Sequence, residues 1–392
     1  MSLDSSFLHF RRWVIALASL IALPLFAATA AITDEECETY GKQLAEYFSS
    51  GKQSEVVRQL DTFAFMDKVT ADLGFDEKEL GEFRSGMLSG LSKSLVQNFS
   101  TFTSAQYLRA QSVGGAKRVL VRCVSEEGAV NYFAFIVDRR ATGSLKWVDV
   151  YIYLTGETMT ESTRRAVLPM VANMKKNLLD KLTSRESDYV QNFPKMTRAT
   201  QLIQGGKFAE ALAELERLPE TVKRERFVLT LRLRAAQPLS EAEYLKVITA
   251  WEKAYPDDPS LDLISIDGDV MRKDYAGAIK RIDSLSQRLG GDNYLNFLKG
   301  NMQMMAGDND VARLTARAVL AAEPTLTSAW DTLLTISLNE HKYAETVALL
   351  IEFEAKFPGA KMKPVIATNA AYADFRTTQE YRDWADQPEA GK

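Results

Sequence analysis

Histidine is almost missing from this chain: 392 residues hold two, His9 and His341. A Ser-His-Asp or Cys-His site needs a base held against its nucleophile. His9 lies in a segment expected to be removed, so His341 alone could take that part. Cysteine also numbers two, Cys37 and Cys123, too few for a structural zinc site without histidines. Neither G-x-x-x-x-G-K-[ST] nor G-x-G-x-x-G occurs. The acidic stretch "DDPSLDLISIDGD" lacks the alternating oxygens of a calcium loop. Nor is there a basic excess: 48 Lys and Arg stand against 52 Asp and Glu, a net charge of −4, which is not the profile of a nucleic-acid binder. The expectation is a protein that is not an enzyme, with no cofactor, no metal and no nucleic-acid partner.

Long apolar runs are scarce as well. The one of note, "WVIALASLIALPLFA" from Trp13 to Ala27, follows Arg11 and Arg12 and precedes Ala28-Thr29-Ala30. It falls short of the roughly 20 residues a membrane-spanning helix needs. A charged start, a short apolar run and a small-residue exit describe a secretory signal peptide. Cleavage is expected near Ala30, leaving a periplasmic or secreted chain with no membrane-spanning segment. In an oxidising compartment Cys37 and Cys123 could form a disulfide; the other reading is two small buried apolar side chains.

What the chain does have is two regions of different period. Residues 31–185 read as an α+β domain. "DEECETYGKQLAEYF" predicts an opening helix with Thr33 or Asp34 as its cap. Leu80, Phe83, Met87, Leu88, Leu91, Leu95 and Phe99 then recur at helical spacing. After them the period falls to two in "AQYLRAQSV", "KRVLVRCVS", "AVNYFAFIVD" and "LKWVDVYIYL", joined by short glycine-containing links. This predicts a four-stranded antiparallel meander. Both alternating sets of the last two strands are largely apolar, so both faces of the sheet should be covered. Helices can cover one; a further helix, a neighbouring domain or a ligand must cover the other. "TESTRRAVLPMVANMKKNLLDKL" returns to helical period, with Arg164, Arg165, Lys175, Lys176 and Lys181 as its solvated face.

Residues 186–384 read as all-helical and repetitive, followed by a disordered tail over 385–392. "GGKFAEALAEL", "RKDYAGAIKRI", "GDNDVARLTARAV" and "EHKYAETVALL" share a polar turn, an apolar mark and a helix; Phe208, Tyr275, Val311 and Tyr343 mark the starts. "AAQPLSEAE" reads as an insertion. Pro219, Pro256, Pro324 and Pro358 close units. Trp330, Leu333, Tyr343 and Pro358 in one unit, and Gly300, Gly307 and Ala312 in another, resemble the tetratricopeptide repeat, a helix–turn–helix unit of about 34 residues. His341 then falls on the turn between two helices, where it is expected to be exposed, with Glu340 pointing to solvent.

Two functions follow from these resemblances. A helical-repeat solenoid has a concave surface lined by the first helix of each unit. In the best-defined unit Ser328, Asp331, Thr335 and Asn339 would face it and grip a protein or peptide partner. Alternatively, helices, a meander and a helix behind a signal peptide, with "TFAFMDKV" and "WVDVYIYLTGETMTESTRRAV", are similar to the periplasmic phospholipid-shuttling family of the lipid-asymmetry transporter. They are more loosely similar to the nuclear-transport-factor-2-like fold. That resemblance implies a carrier of a lipid or other apolar ligand, with Phe133, Phe135, Tyr151 and Tyr153 as pocket candidates. The scaffold is the favoured expectation, and the second face of the sheet discriminates: open for a carrier, packed shut for an adaptor.

Overall fold

The computed structural model describes residues 31–175, 182–256, 258 and 260–387. The apolar run Trp13–Ala27, the expected cleavage near Ala30, Lys176, Lys181 and the final residues 388–392 lie outside them.

The chain opens with α1 (Asp34–Ser49), capped by Thr33. The Thr33 hydroxyl accepts from the Glu36 N–H, and the Glu36 carboxylate accepts from the Thr33 N–H. This capping box satisfies two orphan donors, and acids in the first turn oppose the helix dipole. Then come α2 (Gln53–Arg58), α3 (Thr62–Thr70) and α4 (Glu77–Phe99). The sheet follows as β1 (Phe102–Val113), β2 (Ala116–Ser125), β3 (Val130–Arg139), β4 (Leu145–Ile152) and a two-residue β5 (Glu157–Thr158), leading into α5 (Met159–Met174). Every strand pairs antiparallel with the next, in the order β1-β2-β3-β4-β5. The meander therefore has five strands rather than the four expected. β5 is too short to carry a period: the chain turns back at Thr155 and Gly156, pairs two residues, and starts a helix.

The pleat divides the sheet into two faces. On the first, Val119, Val121, Phe133, Phe135, Trp147 and Val150 pack with Leu44 and Phe48 of α1, Phe65 and Met66 of α3, and Val167 and Val171 of α5. The Phe48 and Phe133 rings lie parallel, 6.3 Å apart. The Trp147 indole, without exposed surface, donates to the Val56 carbonyl at 2.8 Å. The face of α5 read as solvated is largely engaged. Arg165 pairs with Glu157, Lys175 reaches Glu79 at 2.6 Å, and Arg164 donates to the Val69 carbonyl.

From Ser184 the described chain is helical: α6 (Ser184–Gln204), α7 (Phe208–Glu216), α8 (Glu220–Lys223), α9 (Arg226–Ala236), α10 (Glu241–Ala254), α11 (Leu261–Met271), α12 (Tyr275–Leu289), α13 (Asn293–Met305), α14 (Asn309–Ala322), α15 (Ser328–Asn339), α16 (Tyr343–Lys356), α17 (Met362–Thr368) and α18 (Gln379–Ala385). They pair as α6/α7, α9/α10, α11/α12, α13/α14 and α15/α16. The second helices begin at residues 208, 241, 275, 309 and 343, so the spacing is 33 and then 34 three times. Val311 is thus not a helix start; it lies two residues inside α14 and points outward, 48% exposed. "AAQPLSEAE" is not an insertion either, because α9 and α10 end and begin within it. The irregularity lies earlier, at the four-residue α8.

The repeat has two backbone signatures. Gly206, Lys273, Gly307 and His341 all take positive φ, at 73°, 59°, 88° and 55°. Each ends a turn two residues before a second helix. Three residues into those helices stand Ala211, Ala278, Ala312 and Thr346, none with exposed surface. Small side chains there let the paired helices approach closely. Pro256, Pro324 and Pro358 follow the C-cap residues of α10, α14 and α16 directly, where proline cannot extend a helix. Trp330 packs edge-on to Phe353 at 5.7 Å in a core that Phe375 and Trp384 of the C-terminal cap complete.

Trp330→Ala is expected to destabilise the chain by roughly 3–5 kcal/mol. His341→Gly should stay within about 1 kcal/mol of wild type, since glycine takes positive φ freely. Thermal and urea melts of the two variants check the register: wild-type melting of Trp330→Ala would place the repeat boundaries elsewhere.

Candidate functional site

The second face of the sheet carries Leu120, Tyr132 and Ala134, none with exposed surface. They belong to one apolar cluster with Leu263 and Ile266 of α11, Ile282, Leu285 and Leu289 of α12, and Leu295 and Met302 of α13. Repeat helices therefore close the face that the sequence required something to cover.

The seam is fastened by arginines. Arg122 of β2 is 4% exposed. Its guanidinium donates to Asp292 Oδ1 at 2.6 Å, to Glu323 Oε1 at 2.5 Å and to Gln106 Oε1 at 2.6 Å. The Tyr132 hydroxyl donates to the other oxygen of Asp292 at 2.7 Å. The Tyr294 ring covers the guanidinium at 5.3 Å, and its hydroxyl donates to the Gly128 carbonyl. Burial works against the Arg122 charge, but Glu323 and Asp292 outweigh it and raise the pKa. Burial and then Asp292 push the Tyr132 phenol well up. Both stay protonated as donors across the physiological range.

Asp292 caps α13, and Glu323 ends α14. Arg122 thus ties one strand to two successive inter-repeat loops. Arg109 of β1 donates to the carbonyls of Gly290 and Gly291 in the first of these loops. Gly290, at φ 80°, has no room for a side chain, because a Cβ would collide with that guanidinium. At the other end of the sheet, Arg226 donates to the Thr155 carbonyl at 3.0 Å, pairs with Asp258 and stacks on Tyr255. Gly156 there would drive a Cβ into Ser260 and Arg226. Arg165 of α5 joins Glu157 at 2.7 Å to Glu225, the cap of α9, at 3.7 Å.

The pocket candidates do not come together. Phe133 and Phe135 lie in the core of the first face, whereas Tyr151 and Tyr153 are half-buried in the cluster on the second. Period-two alternation separates the pairs. Cys37 and Cys123 are separate buried thiols. Cys123 lies opposite Ala105 in the β1–β2 register, while Cys37 feels the charge of Lys117, six residues back along β2. Burial raises both thiols. On α15, Asp331, Thr335 and Asn339 are exposed and Ser328 is half-buried, one row along the helix.

His341 is exposed, and its Nδ1 lies 2.6 Å from the Tyr343 hydroxyl. Its neighbour Glu340 is not simply solvated. Arg313 of the preceding pair, Lys342 and Asn309 all donate to it, and these bonds bring its carboxyl down from 4.5 to about 2. Among the described residues no cluster of three His, Cys, Asp or Glu is placed to hold a metal ion. Composition could flag Arg122 as an arginine in a buried strand, but its carboxylates lie 170 and 201 residues away in the chain, which no local pattern reveals.

Arg122→Met should cost about 3–5 kcal/mol, because it leaves two buried carboxylates without their cation. Adding Asp292→Asn and Glu323→Gln should recover most of that loss. Equal urea midpoints for the single and triple variants would show that the charges are not coupled. A second prediction concerns acid. The folded pKa of Glu340 lies below its unfolded value, so its contribution is complete above about pH 4.5 and is lost as pH falls towards 2. Glu340→Gln should flatten the acid limb of stability in that window, as read by melts at stepped pH.

No family model and no curated protein matches the chain. Among solved structures the chain is similar to one described as "Crystal structure of PilW, widely conserved type IV pilus biogenesis factor", at 13% identity and a TM-score of 0.37, over 49% of this chain and 90% of that one.

Proposed function

We propose that the protein is a non-enzymatic scaffold of the bacterial envelope, exported after cleavage near Ala30, which binds a protein or peptide partner on tetratricopeptide-like repeats. The closure of the second sheet face carries this reading. A carrier needs a cavity beside the sheet, and Leu120, Tyr132 and Ala134 are sealed under α11–α13. Release of a lipid from that face would require breaking the Arg122 network at every cycle. The outward row Asp331, Thr335 and Asn339 on α15 is open, and repeat solenoids bind through such rows. Among the described residues no helix is long and apolar enough to cross a membrane, which is compatible with an exported chain. His341 faces Tyr343, and its place on a turn suits a structural residue better than a base.

Native mass spectrometry of the chain from Ala31, with an organic extract analysed in parallel, tests the reading. The expected result is a bare protein mass. A photo-crosslinker at Thr335 should trap a discrete protein adduct, and Asp331→Lys should reduce it about tenfold without changing the melting temperature. A stoichiometric lipid that disappears on Tyr151→Asp would replace the scaffold with a carrier.

A further inference from the structure

The layer formed by α1–α4 lies on the sheet face opposite the repeats, and its outer surface holds a cleft of about 1000 Å3 between α2, the start of α3 and the last turns of α4. The floor is apolar, made by Val57, Leu60 and Val96, and the rim carries Arg58 and Lys93. No carboxylate lines it. Arg58, which pairs with Glu55, and Lys93 line it, Lys52 precedes the lining Ser54 by two residues, and Asp61, between Leu60 and Thr62, is buried and paired with Arg140. Lys146 adjoins the rim, donating to the Arg58 carbonyl at 2.9 Å. Among the described residues Lys52 and Lys93 have no carboxylate partner, so an unspent positive charge borders an apolar floor.

The wall itself is unusual. α4 has 23 residues and buries two of them, Leu95 and Phe99. Phe99 anchors the last turn against Phe48 and Phe133 at 5.2 and 5.5 Å. A Cβ added at Gly81, Gly86 or Gly90 would meet no atom of another element within 4 Å. Phe63, which follows Thr62 of the rim, is 62% exposed. Glycine disfavours helix, and Leu80, Phe83, Met87, Leu88, Leu91 and Val96 stay half-buried.

We propose that this cleft docks an amphipathic helix of a partner protein, with apolar residues on Val57, Leu60 and Val96 and acidic residues beside Lys93 and Arg58. The space equals roughly two turns of a helix 10–12 Å across. The cleft is open to solvent, whereas small ligands are usually enclosed over most of their surface. Apolar floor, polar rim and one sign of charge are the features of helix-in-groove recognition. The inference rests on reading the protein as a scaffold for protein partners, and it places a second contact on the side away from the repeats.

Fluorescence anisotropy on the full mature chain tests it. The probes are a designed amphipathic peptide of about 16 residues, with leucines one turn apart flanked by glutamates, and the same peptide with lysines for glutamates. The acidic peptide should bind at least about tenfold tighter than the basic one, Lys93→Glu should abolish that preference, and Lys93→Arg should keep it. Lys93 is exposed, so these variants should fold, and Thr335 crosslinking should be unchanged in Lys93→Glu; that separates failure here from failure of the repeat surface. Absence of binding, equal binding of both peptides, or indifference to Lys93→Glu overturns the proposal. So does displacement by laurate below its micellar range that itself depends on Lys93, which would assign the cleft to a small amphiphile.

Discussion

A β-sheet with apolar side chains on both faces cannot stand half-covered, and one arginine on the second face decides how it is covered. Arg122 lies between Val121 and Cys123, both of which point to the first core. Pleating therefore aims Arg122 at the face that must be buried. An apolar lid alone would leave a buried unpaired charge, which costs several kcal/mol. The covering element must bring carboxylates, and Asp292 and Glu323 supply them from two successive inter-repeat loops. Such a network adds little net stability over an apolar seam of equal shape. Its effect is register: a slip of the sheet by one unit along the solenoid would leave three charges unmet.

Local signals were legible where one element determines its own form. Thr33 and Glu36 announce a capped helix, the strand period changes where the sheet begins, and Trp330 with Tyr343 marks one repeat. Errors arose where a position serves something distant. Val311 looks like a helix start, yet the pair is set by Gly307 and Ala312 on either side of it. Arg165 looks like a solvated cation on α5, but Glu157 and Glu225 hold it at the seam. Glu340 looks like a turn carboxylate, but Arg313 from the preceding pair holds it. For Arg165 and Glu340 the missing signal is a partner across the fold, which one sequence does not display; for Val311 it is the turn glycine and small residue beside it.

The apolar pocket candidates show the same limit from the other side. Four aromatic residues on β3 and at the end of β4 look like one lining. Alternation instead assigns Phe133 and Phe135 to the helical layer and Tyr151 and Tyr153 to the repeats. Packing on the two faces accounts for the aromatic content of these strands.

The seam also limits where a partner can reach the solenoid. Most of its polar contacts fall on or just before the first turns of successive first helices: Arg226 on α9, Ser260 at α11, and Asp292 and Tyr294 at α13, while Glu323 ends α14 ahead of α15. Those ends are committed within the chain. Among the described residues no hydrogen bond from the sheet reaches α15 itself, whose outward row stays open. A solenoid ordinarily spreads binding over all its units. The sheet covers α11–α13, so on the proposed scaffold reading a partner would gain affinity from the last full pair, from the outer cleft of the α+β layer, or from both engaged at once. Two weak contacts gain from effective concentration only if one ligand spans them, and on that reading the Arg122 network, which ties β2 to two successive inter-repeat loops, would hold their separation.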